Sequence, residues 1–199
     1  MGLAYRRGRR LFTPLAPDGG FGQAPAPWGR QNSTERNCKI LSFEKAKAHL
    51  EALGLAGRIQ VFEVSSATVE LAAAAVGVEG ARIAKSLGFM VEGAPVLIVA
   101  AGDAKVDNRK FKEKFHTKAK MLSREETASL VGHEVGGVCP FGVNPGVTTY
   151  LDESLRRFET VFPAVGSDNS AVELSLDELE RASGAVEWAD LCKLPQETA

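Results

Sequence analysis

The sequence predicts an α+β domain built on a mixed sheet and preceded by a segment without regular structure. Three observations carry this. Short β-prone runs such as IQVFEV (59–64), SLGFMV (86–91) and PVLIVA (95–100) alternate irregularly with short helical patterns. Of the 199 residues, 44% are hydrophobic and 25% charged, the balance of a globular domain with a sizeable core. Residues 1–38 depart from the rest: they are rich in Gly, Pro and Arg and hold no sustained periodicity. The expected organisation is a disordered extension over 1–38 and one folded domain over 39–199, with no internal repeat.

Each element has a local reason. Ser42 can cap a helix that puts Phe43, Ala46, Leu50 and Leu53 on one face, and Gly54 can end it. IQVFEV then reads as a strand. Thr68 opens a second helix, VELAAAAV, stopped by Gly77. A short third helix is expected after Gly80, holding Arg82, Ile83 and Lys85. SLGFMV and PVLIVA flank Glu92-Gly93-Ala94 and predict a hairpin. Asp107 can cap a basic helix, NRKFKEKF, with Phe111 and Phe115 facing inward. Lys120–Leu122 reads as a short strand. Ser123 with Glu126, and Ser175 with Glu178, are capping-box patterns, the first opening a helix that ends at Gly132. TTYLD, ETVFPAV, AVELS and a closing AVEWADLC are the remaining strand candidates.

Composition narrows the function classes. Lys and Arg number 24 against 25 Asp and Glu, a net charge of −1 that does not mark a strong nucleic-acid binder. Cys38, Cys139 and Cys192 are odd in number and form no CxxC, which argues against a disulfide framework and a zinc site and fits a reducing, cytoplasmic setting. His49, His116 and His133 form no HxxxH or HExxH, so no metal is expected. No apolar run is long enough to span a membrane. Arg6, Arg7, Arg9 and Arg10 read either as an unstructured extension or as a nucleic-acid-touching or targeting arm.

GxSxG, Walker and GxGxxG motifs are all absent. The informative stretch is Gly136-Gly137-Val138-Cys139-Pro140-Phe141-Gly142. Its glycines free backbone amides to approach a ligand and Pro140 stiffens the path, so the loop can hold a carbonyl or oxyanion through main-chain donors, or be a tight bend at a sheet edge. Cys139 reads as a small buried side chain rather than a nucleophile. His133, close by, is a candidate base. Asp107 and Asn108 mark a helix start, and Lys110, Lys112 and Lys114 make either a tRNA-facing patch or a solvated face.

From Ser65 to Ala189 the sequence resembles the YbaK/EbsC-type aminoacyl-tRNA deacylases, relatives of the editing domain inserted in bacterial prolyl-tRNA synthetases. The stretches that carry the resemblance are ARIAKSLGF (81–89), GDAKVDNRKFKEKF (102–115), GHEVGGVCPFGV (132–143), TTYLDESLRRFETVFPAVGS (148–167) and AVELSLDELERAS (171–183). It implies a largely antiparallel, partly barrel-like sheet surrounded by short helices. It also implies that Lys85 contacts the 3′-terminal nucleotide or places the ester. Gly136 to Pro140, with Gly137, Val138 and Cys139 between them, would hold the aminoacyl carbonyl. Ser66 and Thr68 fall where the pocket wall forms, Thr68 also being a helix cap, and Phe89 lines the amino-acid cavity or the core.

The implied reaction is hydrolysis of a small aminoacyl ester on a mischarged tRNA, tRNA(Pro) or a related one, without a cofactor. The implied partners are aminoacyl-tRNA and prolyl-tRNA synthetase or another synthetase, with no DNA and no membrane. Where cysteine-specific members carry Ser and Asp, this chain has Ala164 and Ala171, so the edited amino acid stays open. Two other readings remain: a tRNA- or synthetase-binding module without catalysis, and a carbonyl enzyme using Lys85 as a Schiff-base amine.

Overall fold

The computed structural model describes residues 33–195. Helix α1 spans Ser33–Ala52, so the expectation of a disordered extension lies, up to residue 32, outside the described residues. Ser42 therefore sits inside α1 instead of capping it, and its hydroxyl donates to the Gly132 carbonyl at 3.2 Å. Ala46 and Leu50 are fully buried on the face expected of them.

Strand β1 is Ile59–Val61, shorter than the run IQVFEV suggests. Helix α2 is Val69–Val76. Thr68 caps it by accepting from the Leu71 amide, and Gly77 closes it in the left-handed region. Gly80–Arg82 makes only one 3-10 turn; strand β2 follows at once, Ile83–Val91. Lys85 thus lies on a strand and not on the expected helix. The alternating apolar positions Ile83, Leu87 and Phe89 carry the period of two that a strand imposes. A two-residue turn, Glu92 (φ 49°) and Gly93 (φ 83°), joins β2 to β3, Ala94–Ala101; positive φ at both positions suits the twist of a tight hairpin.

Strand β4 (Lys105–Val106) leads to α3 (Asn108–Phe115), capped by Asp107 through the amides of Arg109 and Lys110. Lys120–Leu122 contributes a single bridge, Met121 to Phe89. The capping box of Ser123 and Glu126 starts α4, Arg124–Glu126, which widens into a π-turn over Thr127–Val131 before Gly132. Strands β5 (Thr148–Asp152), β6 (Thr160–Pro163), β7 (Ser170–Val172) and β8 (Leu174–Ser175) follow, then α5, Leu176–Ser183, with its own capping box. AVEWADLC is two strands, β9 (Glu187–Ala189) and β10 (Cys192–Lys193). The chain turns between them where the buried carboxylate of Asp152 accepts from the amides of Leu191 and Cys192.

Six strands form one curled sheet in the order β8-β6-β2-β3-β5-β9. The pairs β2–β3 and β6–β8 are antiparallel, and β2–β6, β3–β5 and β5–β9 parallel. Two short antiparallel pairs, β1–β7 and β4–β10, flank it. One face packs Val99 and Leu151 against Leu50 of α1, Leu179 of α5 and the loop residues Cys139 and Phe141. The other packs Phe89, Val96 and Ile98 against Phe111 of α3.

Candidate active site

The site is a consequence of how β2 is paired. One edge of β2 runs along β3 from Ala84 to Val91. The other edge meets β6 only at Ile83 and Ala84, and meets residues 120–122 only around Phe89, where Leu122 donates to the Gly88 carbonyl and Met90 to that of Lys120. Lys85, Ser86 and Leu87 lie in the gap, and all three line a cavity of about 570 Å³. Its walls are Ser66–Val69 at the start of α2, Gly136 and Val138 from the glycine-rich loop, Leu122, Arg124 and Thr127 around α4, and Ala164, Ser170 and Ala171 at the β6–β7 turn. The volume is that of a small-molecule site.

Lys85 donates from Nζ to the Gly102 carbonyl at 2.8 Å, which fixes its ammonium beside the cavity wall. Burial holds its pKa below the ordinary lysine range, partly offset by the carboxylates of Asp103 and Glu70. Gly102 must be glycine at this point, because a Cβ would stand 2.1 Å from the Gly80 carbonyl oxygen. The close crossing of the chain at Gly80 and Gly102 thus places the oxygen that orients Lys85.

The glycine-rich loop docks on the segment after β6. A Cβ on Gly137 would lie 2.6–2.7 Å from the Ser167 backbone, and Gly136 takes φ +103°, a conformation side chains rarely adopt. The Gly137 amide donates to the Glu134 carbonyl at 3.0 Å and closes a turn. The amides of Gly136 and Val138 have no intramolecular acceptor among the described residues, and both residues line the cavity. They are therefore the loop's available main-chain donors.

The structure thus brings Lys85, Gly136, Val138, Ser66 and Thr68 to one cavity and leaves four of the expected residues outside it. Gly137, Cys139 and Pro140 are buried behind the loop and support its path. Phe89, 2% exposed, belongs to the core: its ring lies 5.1 Å from that of Phe111. Thr68 spends its oxygen on the α2 cap.

His133 is no base for this cavity. It is fully buried, its Nε2 lies 2.9 Å from the Phe141 carbonyl oxygen and must be the protonated nitrogen, and Nδ1 has no partner. Burial lowers its pKa to about 4. The Cys139 thiol, 3.7 Å from Nε2, is pushed up to about 12 by burial and faces a nitrogen that donates elsewhere, so it is neither a thiolate nor within reach of a base.

The basic run on α3 is largely occupied. Lys110 pairs with Asp190 at 2.6 Å, and Lys114 pairs with Glu187 and lies over the Tyr150 ring. Arg124 and Ser86 are among the cavity residues that escaped the sequence reading. Arg124 stands exposed on the cavity wall at the start of α4. Ser86 lies in the gap itself, and its buried hydroxyl has no hydrogen-bond partner.

A family model described as an aminoacyl-tRNA editing domain matches residues 63–182, which include every residue of the cavity wall. The chain belongs to this family. It is 51% identical over 154 residues to the uncharacterized protein YwhH of Bacillus subtilis (strain 168), a match covering 77% of this chain and 98% of that protein. It is 29% identical over 153 residues to a proline–tRNA ligase of Geobacillus sp. (strain WCH70), covering 76% of this chain but only 26% of the ligase. A solved structure of a proposed trans-editing enzyme for prolyl-tRNA synthetase superposes with a TM-score of 0.70 at 31% identity, over 76% of this chain and 97% of that one. Among the described residues no helix is long and apolar enough to cross a membrane.

Proposed function

We propose that this editing-domain protein hydrolyses the ester of a small, wrongly attached amino acid on a tRNA, with tRNA(Pro) or a related tRNA as carrier. The observation that carries the reading is the content of the cavity wall. It offers one oriented lysine, one arginine and two loop amides, and among the described lining residues no carboxylate, imidazole or thiol. Such a wall can bind a phosphate and receive an oxyanion, but it supplies no nucleophile or base of ordinary strength.

The ribose hydroxyl next to the ester would then orient the attacking water. Water adds to the ester carbonyl, and the developing oxyanion is received by the Gly136 and Val138 amides. The bond to the ribose oxygen breaks, and that oxygen takes the proton the water gives up. The products are a free amino acid and an uncharged tRNA. Lys85 and Arg124 serve the 3′-terminal nucleotide, as ammonium and guanidinium groups suit phosphate oxygens. Ala164 and Ala171, both on the wall, leave space for an amino-acid side chain; selection by size is coarse, since one methylene shifts binding by about 1–3 kcal/mol. Cytoplasmic action beside prolyl-tRNA synthetase or another synthetase belongs to this proposal.

The test is deacylation of Ala-, Cys-, Ser- and Thr-tRNA, including mischarged tRNA(Pro), by wild type and Lys85→Ala. Hydrolysis of one or two small esters, lost in the variant, supports the reading. Tight binding with no hydrolysis would favour a binding module. The depressed pKa of Lys85 is the one observation on the side of Schiff-base chemistry, and trapping with borohydride in the presence of a carbonyl compound tests it.

A further inference from the structure

We propose that Ser86 is the anchor for the α-ammonium group of the bound aminoacyl ester. The inference rests on the deacylase reading for its ligand and on three observations for its site. First, the Ser86 hydroxyl is shielded from solvent and has no hydrogen-bond partner among the described residues, although the residue lines the cavity. An unsatisfied buried hydroxyl is costly, and with no bond to give up it can turn about χ1 onto a ligand without loss.

Second, the backbone of Ser86 is open at the gap edge. Consecutive strand residues direct their amide groups to opposite edges. Gly88 and Met90 direct theirs to residues 120–122, so Ser86, two and four positions earlier, directs its own to that edge too. There it falls between the β6 pairing, which ends at Ala84, and the Met121 bridge. Carbonyl and hydroxyl of one residue thus offer two acceptors to one ligand group.

Third, an ammonium group has few other partners in this cavity. The charged wall residues are Lys85 and Arg124, both cationic. Thr68 accepts from Leu71, Thr127 donates to the Ser123 carbonyl, and Ser170 is bonded to Ser167 and the Val165 carbonyl, which leaves Ser66 and Ser86 as the wall hydroxyls without a hydrogen bond among the described residues. Of these two, Ser86 joins its hydroxyl to a strand-edge carbonyl in the middle of the gap, and so presents a cation with a neutral acceptor pair.

The test uses two non-hydrolysable probes: 3′-alanylamido-adenosine and its propionylamido counterpart, which lacks the α-amino group. Calorimetric binding is measured for wild type, Ser86→Ala and Ser86→Thr, with melting curves for each. The expected result is wild-type preference for the amine-bearing probe, a loss of about tenfold on that probe alone in Ser86→Ala, and partial recovery in Ser86→Thr. The Ser86→Ala melting temperature stays level or rises, because an unsatisfied group has been removed. Equal wild-type affinity for both probes, no binding of either, or an equal loss on both in Ser86→Ala would overturn the inference. Hydrolysis is scored separately on alanyl-tRNA: amine-dependent binding without hydrolysis sinks the deacylase reading and leaves the anchor standing.

Discussion

Single residues decide the chemistry here, and they do so through what they are already bonded to. Lys85 is held by the Gly102 carbonyl at 2.8 Å, so its ammonium arrives oriented. Lys85→Ala should lower kcat/KM for ester hydrolysis by about 10²–10³, the scale of losing one positioned electrostatic group, with the melting temperature little changed. Cys139 and His133 look like a nucleophile and base in sequence but form no dyad in space. Cys139→Ala should keep its hydrolytic rate, and the native Cys139 thiol should resist iodoacetamide.

His133 acts on stability instead. Its pKa falls from the ordinary 6.5 to about 4 in the fold, so between those values the unfolded chain binds the proton that the folded chain refuses. The stability present above pH 6.5 is therefore lost as pH falls through that window, by on the order of 3 kcal/mol for a shift of this size. Urea unfolding at pH 7.5 and 4.5 checks this: a His133→Gln variant should show a smaller difference between the two pH values than wild type.

Elements place these residues, and they differ in how far their sequences announce them. Thr68, Asp107, Ser123 and Ser175 all cap helices as their neighbours predict, because a cap depends on four consecutive residues. The sequence predicts Lys85 on a short helix after Gly80; the sheet instead draws the chain into β2 after a single turn. The role of Ser86 was not legible at all. Its open edge exists only because β6 leaves β2 after Ala84 and residues 120–122 join it near Phe89, two tertiary events far apart in sequence.

The glycine-rich loop was legible as a site but not in its division of labour. Which amides stay available depends on docking against Ser167. Gly137→Ala would overlap that backbone at 2.6–2.7 Å and should lower both melting temperature and hydrolysis. Gly146→Ala, at φ +90° with no atom within 4 Å, should carry only backbone strain of about 1–3 kcal/mol and leave hydrolysis intact.

For the whole molecule, the α+β class and the strand-rich middle followed from local alternation, and the resemblance supplied the curled sheet. The order β8-β6-β2-β3-β5-β9 did not follow from local pattern, since three of its five contacts are parallel and join strands distant in sequence. The net charge of −1 and the ion pairs of Lys110 and Lys114 leave a modest field for RNA; under the proposed function, recognition would centre on the tRNA 3′ end and tRNA choice would fall to a partner. The proposed function requires that one cavity, with no nucleophile or base of ordinary strength among its described lining residues, hydrolyses a small aminoacyl ester. The most direct measurement is release of amino acid from mischarged tRNA(Pro) by the purified chain, compared with tRNA(Pro) whose terminal ribose lacks the hydroxyl next to the ester. Hydrolysis of the first and loss of activity on the second is the predicted result; equal rates on both, or release from neither, would contradict it.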